Sequence, residues 1–185
     1  MNLPTQPIRI FSIGHSNRTF DDLLGLLEEC EIRAIADVRR FPSSRKFPYF
    51  NQNQISDLLK VHQMHYVWFE ALGGLRRSGM KSGSPNTGLQ SPGFRYYADY
   101  MLTVEFHKAV ENLLSLGAEL TTAVMCAERF YWKCHRRLLC DLLVVHGVEV
   151  VHILEQGKLH PHKLTPGAVA TEQGLINYPG PVAGS

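Results

Sequence analysis

Five short apolar runs recur along the chain, at Ile8–Ile13, Ala34–Val38, His65–Phe69, Thr121–Cys126 and Val148–Leu154. Several are continuous rather than alternating, as expected of parallel strands covered on both faces. Between them the spacing becomes helical. Phe20, Leu23, Leu24 and Leu27 recur at i, i+3, i+4 and i+7, with Thr19 placed as the cap and Asp22 three residues on, as in a capping box. Ile55, Leu58 and Leu59 suggest a second helix. A longer one is predicted from Phe94 to Leu116, stopping at Gly117, and a fourth from Trp132 to Val145, carrying Leu138, Leu139, Leu142 and Leu143 and ending at Gly147. This alternation predicts an α/β fold: a single domain with an about five-stranded, mainly parallel sheet flanked by helices and joined by right-handed crossovers. A closed eight-stranded barrel needs more strands than the chain offers. Residues 1–7 read as an N-terminal extension and 8–167 as the domain. Residues 168–185, rich in Gly, Pro and Ala without periodicity, read as a loosely ordered tail.

Composition narrows the class without naming a reaction. A chain of 185 residues suits one domain, and 44% apolar with 19% charged residues excludes a disordered polymer. A net charge of +2 is too small for polyanion binding by bulk electrostatics alone. No apolar run approaches the ~20 residues of a membrane span, so no membrane partner is expected. The N-terminal MNLPTQPIRI lacks a charged region followed by a long apolar stretch, so no secretory signal is read there. The four cysteines are too few for a disulfide framework, and a reduced, cytoplasmic setting is expected.

The distribution of polar residues says more. The strand-to-helix connections carry Gly14-His15-Ser16-Asn17-Arg18, the stretch Asp37 to Lys46, a Gly- and Ser-rich loop from Gly73 to Gly93, and Cys126-Ala127-Glu128 leading to Cys134-His135-Arg136-Arg137. The opposite connections are short and plain. Ligands of open parallel sheets bind at the carboxyl ends of strands, so one edge is marked as functional. Arg18, Arg39, Arg40, Arg45, Lys46, Arg76, Arg77, Lys81, Arg129, Lys133, Arg136 and Arg137 make up twelve of the nineteen basic residues. All fall in those four segments, where the only acids are Asp37 and Glu128. A positive mouth suited to an anionic substrate follows, unless these are merely solvated loop charges spread around the rim.

The most specific local pattern is Cys126-x-Glu128-x5-Cys134-His135-Arg136. Cys134 is expected in the first turn of a helix, where the helix end, Lys133, His135 and Arg136 would lower its thiol pKa. A reactive thiol, with His15 or His135 as the neighbouring base, is one reading. A metal site using Cys126, Glu128, Cys134 and His135 is another, although the spacing is not a usual zinc one. Two apolar fillers are the third. Cys140 and Cys30 read as structural, and His152 as a satisfied core residue. Asp37 and Arg39 share a strand face, so the carboxylate is either a general base or the group that orients Arg39. His15, on a turn after a buried strand, is the strongest histidine candidate. From Arg39 to Phe50, basic residues interleave with Phe41, Phe47, Tyr49 and Phe50, a pattern shared by nucleic-acid contacts and by loops pinned to a core. The Gly73–Gly93 loop exceeds the usual connection length and is either mobile or a lid.

These residues resemble the family catalogued as domain of unknown function 488, from about Ile8 to Gly167. The likeness rests on Ile13-Gly14-His15-Ser16, Asp37-Val38-Arg39 with Pro42-Ser43, Leu72-Gly73-Gly74, Met125-Cys126-Ala127-Glu128 and Cys134-His135-Arg136. It implies a cytosolic α/β protein of prokaryotic type and supports treating the matched polar positions as one site; it supplies no mechanism.

The leading expectation is an enzyme acting on an anionic small molecule or a nucleotide or nucleic-acid component. His15, Asp37, Cys126, Glu128 and Cys134 are its catalytic candidates; Ser16, Arg39, Arg40, Gly73, Gly74, Arg76, His135 and Arg136 are its binding candidates. The alternatives are a non-catalytic nucleic-acid-binding module and a metal-binding protein. Cofactor and oligomeric state stay open.

Overall fold

Ile10 and Ser12 of the first strand point to one side and Phe11 and Ile13 to the other, and all four are buried. A strand buried on both faces needs a helical layer on each. A computed structural model describes residues 7–80 and 83–181. Lys81 lies outside the described residues, as do residues 1–6 of the expected extension and 182–185 of the expected tail.

Strands β1 (Arg9–Gly14), β2 (Ala34–Asp37), β3 (His65–Trp68), β4 (Thr122–Cys126), β5 (Glu149–Glu155) and β6 (Lys158–Pro161) form one sheet in the order β3-β2-β4-β1-β5-β6. The first five are parallel to their neighbours, and β6 returns antiparallel to β5. The sixth strand is the addition to the expected five. It is four residues long and exposed throughout, so no apolar alternation betrays it. Its turn places Gly157 at φ +68, a conformation that glycine adopts without a Cβ penalty.

Helices α1 (Phe20–Glu29) and α2 (Gln52–Val61) cover one face, bringing Leu23, Leu27, Ile55 and Leu59 against Phe11, Ile13, Ile35 and Met125. Helices α3 (Pro92–Tyr100), α4 (Val104–Glu119) and α5 (Arg136–Val145) cover the other, where Tyr97, Phe106, Val110, Leu139 and Leu143 meet Ile10, Ala36, Val124 and Val150. The result is a single α/β domain. The Thr19–Asp22 capping box is present at α1.

Two helices depart from expectation. The long helix from Phe94 to Leu116 is broken, because the Thr103 side chain accepts from Phe106 N as the cap of α4 and donates to Tyr100 O. The second piece then runs past Gly117 to Glu119; a Cβ at Gly117 would lie 3.2 Å from the Ile10 side chain, so the small residue serves packing rather than termination. The helix expected from Trp132 begins only at Arg136, after a 3-10 turn over Tyr131–Lys133.

The tail after residue 168, expected to be loosely ordered, packs on the domain as far as it is described. Strands β7 (Val169–Ala170) and β8 (Ile176–Asn177) pair, and Ile176 and Tyr178 are buried in the core beside α5. Two isolated anchors leave no periodicity to read. No helix among the described residues is long and apolar enough to cross a membrane.

The strand order fixes where a site can form. Chain leaving β1 passes to α1 on one face, and chain leaving the adjacent β4 passes to α5 on the other. Divergence of neighbouring connections opens a crevice at the carboxyl ends of those strands.

Candidate functional site

Backbone bonds from His15 N to Cys126 O (3.0 Å) and Ser16 N to Ala127 O (2.9 Å) extend the β1–β4 pairing past the strand ends. The approach is possible because residue 14 is glycine: a Cβ there would lie 1.8 Å from Glu128 O. Ser16 turns the chain away at φ 48. Above this junction lies a cavity of about 500 Å³. Its lining includes His15, Cys126, Glu128, Cys134 and His135 among the expected catalytic and binding residues, together with Arg39, Arg40 and Gly74. Phe41, Leu75 and Phe94 supply apolar wall, and Lys133 a further cation.

Cys126 and Cys134 bring their sulfurs to 2.8 Å. Cys126 Sγ also accepts from Arg136 Nε (3.0 Å) and Glu128 N (3.3 Å), while Cys134 Sγ lies 3.4 Å from His135 Nδ1 and 3.5 Å from the donor Arg136 N. Burial opposes ionisation of both sulfurs. At Cys134 it is outweighed by the hydrogen bond from the Cys126 thiol, by His135 and by Arg136, which hold the thiol well below the usual range. Burial and the bond to Cys134 push the Cys126 thiol well above it. Both sulfurs lie beside the Arg136 guanidinium, whose own pKa they raise against the desolvation that lowers it. Cys134 sits just before the His135 cap of α5 rather than in the first turn, but it still receives a backbone N–H of that helix start.

His135 completes the group. Its Nε2 lies 2.9 Å from Val38 O, and a carbonyl can only accept, so Nε2 carries the proton. Nδ1 then faces the Cys134 sulfur, where it can hold the thiol proton. Gly74 makes room for the ring: a Cβ there would lie 2.2 Å from His135 Cγ.

On the opposite wall, Arg39 is anchored from behind. Asp37 is fully buried and accepts from Arg39 N and Nε, from Arg39 Nη2, and from Tyr66 OH at 2.6 Å. With its oxygens taken and no face on the cavity, Asp37 orients Arg39. Arg39 Nη1 donates to Phe50 O (2.8 Å) and lies 3.3 Å from His15 Nε2, while His15 Nδ1 faces Ser16 O at 3.1 Å. Burial first and Arg39 second lower the His15 pKa to about 4, so His15 is neutral at pH 7 and presents a weakly basic nitrogen.

Other expected members fall elsewhere. Arg136 is wholly buried behind the thiols, donating to Cys126, to Ser12 Oγ (3.0 Å) and to Glu128 O. Arg18 is buried and caps Gly14 O and Leu154 O. Arg76 stacks on Tyr100, 3.5 Å from the ring centre, and Gly73 packs under the Arg40 backbone. Ser16 lies beside the cavity rather than in its lining. Arg40 pairs with Glu70 at 3.0 Å and Arg129 with Glu155 at 2.9 Å. Of the cations expected there, Arg39, Arg40 and Lys133 line the cavity, Arg39 paired with Asp37 and Arg40 with Glu70. Glu128 is exposed at the opening, with no ion pair among the described residues. Of the interleaved aromatics, Phe47, Tyr49 and Phe50 pack inward, with the Phe50 ring tilted against that of His15, centroids 4.1 Å apart; Phe41 alone is exposed. The Gly73–Gly93 loop is tied down by Asp99, which accepts from Met80 N, Ser84 Oγ and Asn86 Nδ2. Ser12 and Tyr66 were missed as supports. Ser12 carried a signal, being a polar residue inside an apolar strand; Tyr66 carried none.

Fold and cleft together define an open-sheet α/β protein with a thiol–histidine cluster at the divergence of two central strands. The chain belongs to the family described as Domain of unknown function DUF488, whose model matches residues 19–143. The match takes in Asp37, Arg39, Cys126, Cys134 and His135; the resemblance noted at Ile13-Gly14-His15-Ser16 lies ahead of it. No curated protein and no solved structure matches the chain.

Proposed function

We propose that this chain is an enzyme acting on an anionic substrate of small-molecule or nucleotide size, with Cys134 as the nucleophile. The observation that carries the reading is the Cys126–Cys134 sulfur pair, 2.8 Å apart beside His135 and Arg136, on the wall of a cavity that Arg39, Arg40 and Lys133 also line. The cavity lies in the ~300–1,000 Å³ range usual for small-ligand sites. A thiolate is the nucleophilic form of cysteine, and an adjacent imidazole to hold its proton is the usual means of activation. Arg39, rigidly oriented by Asp37, can receive an anionic group beside the sulfur. Glu128, free at the opening, is placed to exchange protons with a substrate.

A metal ion on Cys126, Cys134 and His135 is supported by their proximity, one ligand atom of each lying within 4.8 Å of the others. Two features weigh against it. Bonds of ~2.3 Å at tetrahedral angles put two zinc-bound sulfurs ~3.8 Å apart, and these are 2.8 Å apart. Arg136 already supplies the positive charge. Glu128 lies outside that cluster. Of the aromatics between Arg39 and Phe50, the nucleic-acid reading keeps only Phe41 exposed.

Paired alkylating probes test the proposal. Iodoacetate, being anionic, is expected to label Cys134 faster than iodoacetamide at low salt, and C134S is expected to lose this labelling. A preference for the neutral reagent, or labelling unchanged in C134S, would overturn it.

A further inference from the structure

Outside the cleft, a second set of chemically capable side chains lies sealed in the core. Cys140 comes from α5, His152 from β5, and His162 from the residue after β6. His152 pairs in register with Ser12, on the face covered by α5. His162 N donates to Val150 O (2.8 Å), continuing the hairpin and bringing its ring to the same place. One ligand atom from each of the three lies within 4.8 Å of the others. Cys140 and His152 are 0% exposed, and so is the His162 side chain.

The polar bonds around this trio tie it to a buried carboxylate. Asp141, also fully buried, accepts from His162 Nε2, Thr165 N and Tyr178 OH, each at 2.8 Å. Its ion-pair partner among the described residues is His162. Because His162 gives Nε2–H to Asp141, its Nδ1 accepts from His152 Nε2 at 2.8 Å. His152 Nδ1 has no partner at all. Tyr131 lies flat on the His152 ring, with centroids 3.4 Å apart and planes 3° from parallel, and fixes its orientation.

We propose that Cys140, His152 and His162 form a buried site for one divalent first-row ion of the zinc class, with Asp141 as the carboxylate that orients His162. A nitrogen–nitrogen–thiolate set is borderline-soft and suits zinc. A carboxylate on the far nitrogen of a ligating histidine is the usual second support of such sites. Zinc-bound nitrogens at ~2.0 Å lie ~3.3 Å apart, so the two rings need to separate by only about 0.5 Å. Sealed in the core, the ion would be structural, joining α5 to the β5–β6 hairpin.

The test uses full-length protein purified without chelators and loaded with Zn2+, or with Co2+ as a spectroscopic substitute. The C126S/C134S double variant is expected to retain one zinc ion per chain by elemental analysis and a thiolate-to-cobalt charge-transfer band. C140S is expected to lose both, with its far-ultraviolet circular dichroism unchanged. Should C140S fail to fold, the double variant decides alone, since Cys140 is its only buried thiol. Loss of metal from the double variant, persistence of the band in C140S, or absence of bound ion from the folded wild-type chain would each overturn the site.

Discussion

Asp37 accepts from four donors behind the cavity wall, three from Arg39 and one from Tyr66. Removing it strands a guanidinium that is itself only 6% exposed. Asp37→Ala is therefore expected to cost about 3–5 kcal/mol of unfolding free energy by urea denaturation, and a loss below ~1 kcal/mol would show that the pair is not a structural anchor. Tyr66→Phe removes one donor of the same group and is expected to cost only ~1 kcal/mol. At Cys134 the consequence is kinetic. Alkylation of an ordinary thiol slows about tenfold per unit of pH below its pKa near 8.5, since only the thiolate reacts. The Cys134 pKa is held below that, so its rate should fall less steeply than that of an ordinary thiol as pH drops below 8.5; a full tenfold fall per unit would place the charge elsewhere. Within the cleft, the Cys126-x-Glu128-x5-Cys134-His135 group was legible because its members lie within ten residues of one another. The role of Asp37 was not, since the choice between base and orienter depends on Tyr66, which arrives from β3.

Elements that pack two-sidedly were readable from apolar runs, and the five parallel strands fall within about a residue of their expected bounds. What eluded the sequence were features set by single contacts. The break between α3 and α4 depends on Thr103, whose hydroxyl takes the place of a backbone partner at the new helix start. Thr103→Ala is expected to cost ~1 kcal/mol, read as a lowered urea midpoint with the slope unchanged. β6 escaped because an exposed edge strand has no buried face to leave a pattern. The double glycine after β3 is legible only as a motif; its reason is tertiary. A Cβ at Gly74 would collide with the His135 ring, so Gly74→Ala should push that ring off the Cys134 sulfur. Slower iodoacetamide labelling of Cys134 at pH 7, in a variant with unaltered circular dichroism, is the expected result. Unchanged labelling would mean that His135 does not serve the thiol.

Convergence of the whole molecule on the strand ends has its own pH signature, carried by His15. Its turn leaves β1, Arg39 comes from the end of β2, and Phe50 packs against the ring from the 3-10 turn at Pro48–Phe50; together they bury the imidazole to 3% exposure. Burial and the Arg39 charge lower its pKa to about 4, whereas an unfolded chain titrates it near ~6.5. Between those values the unfolded chain binds a proton that the folded chain refuses, so unfolding is favoured as pH falls. The contribution of His15 is fully present above ~6.5 and is lost progressively as pH falls to about 4, for a total of roughly 3 kcal/mol. Other groups titrate over the same range, so the comparison must be made against a His15→Asn variant at each pH. Stability of the wild type relative to the variant should decline from pH 7 to pH 4. A constant difference would mean that the ring is solvated, and that the loops after β1 and β2 do not close on one another as the cleft requires.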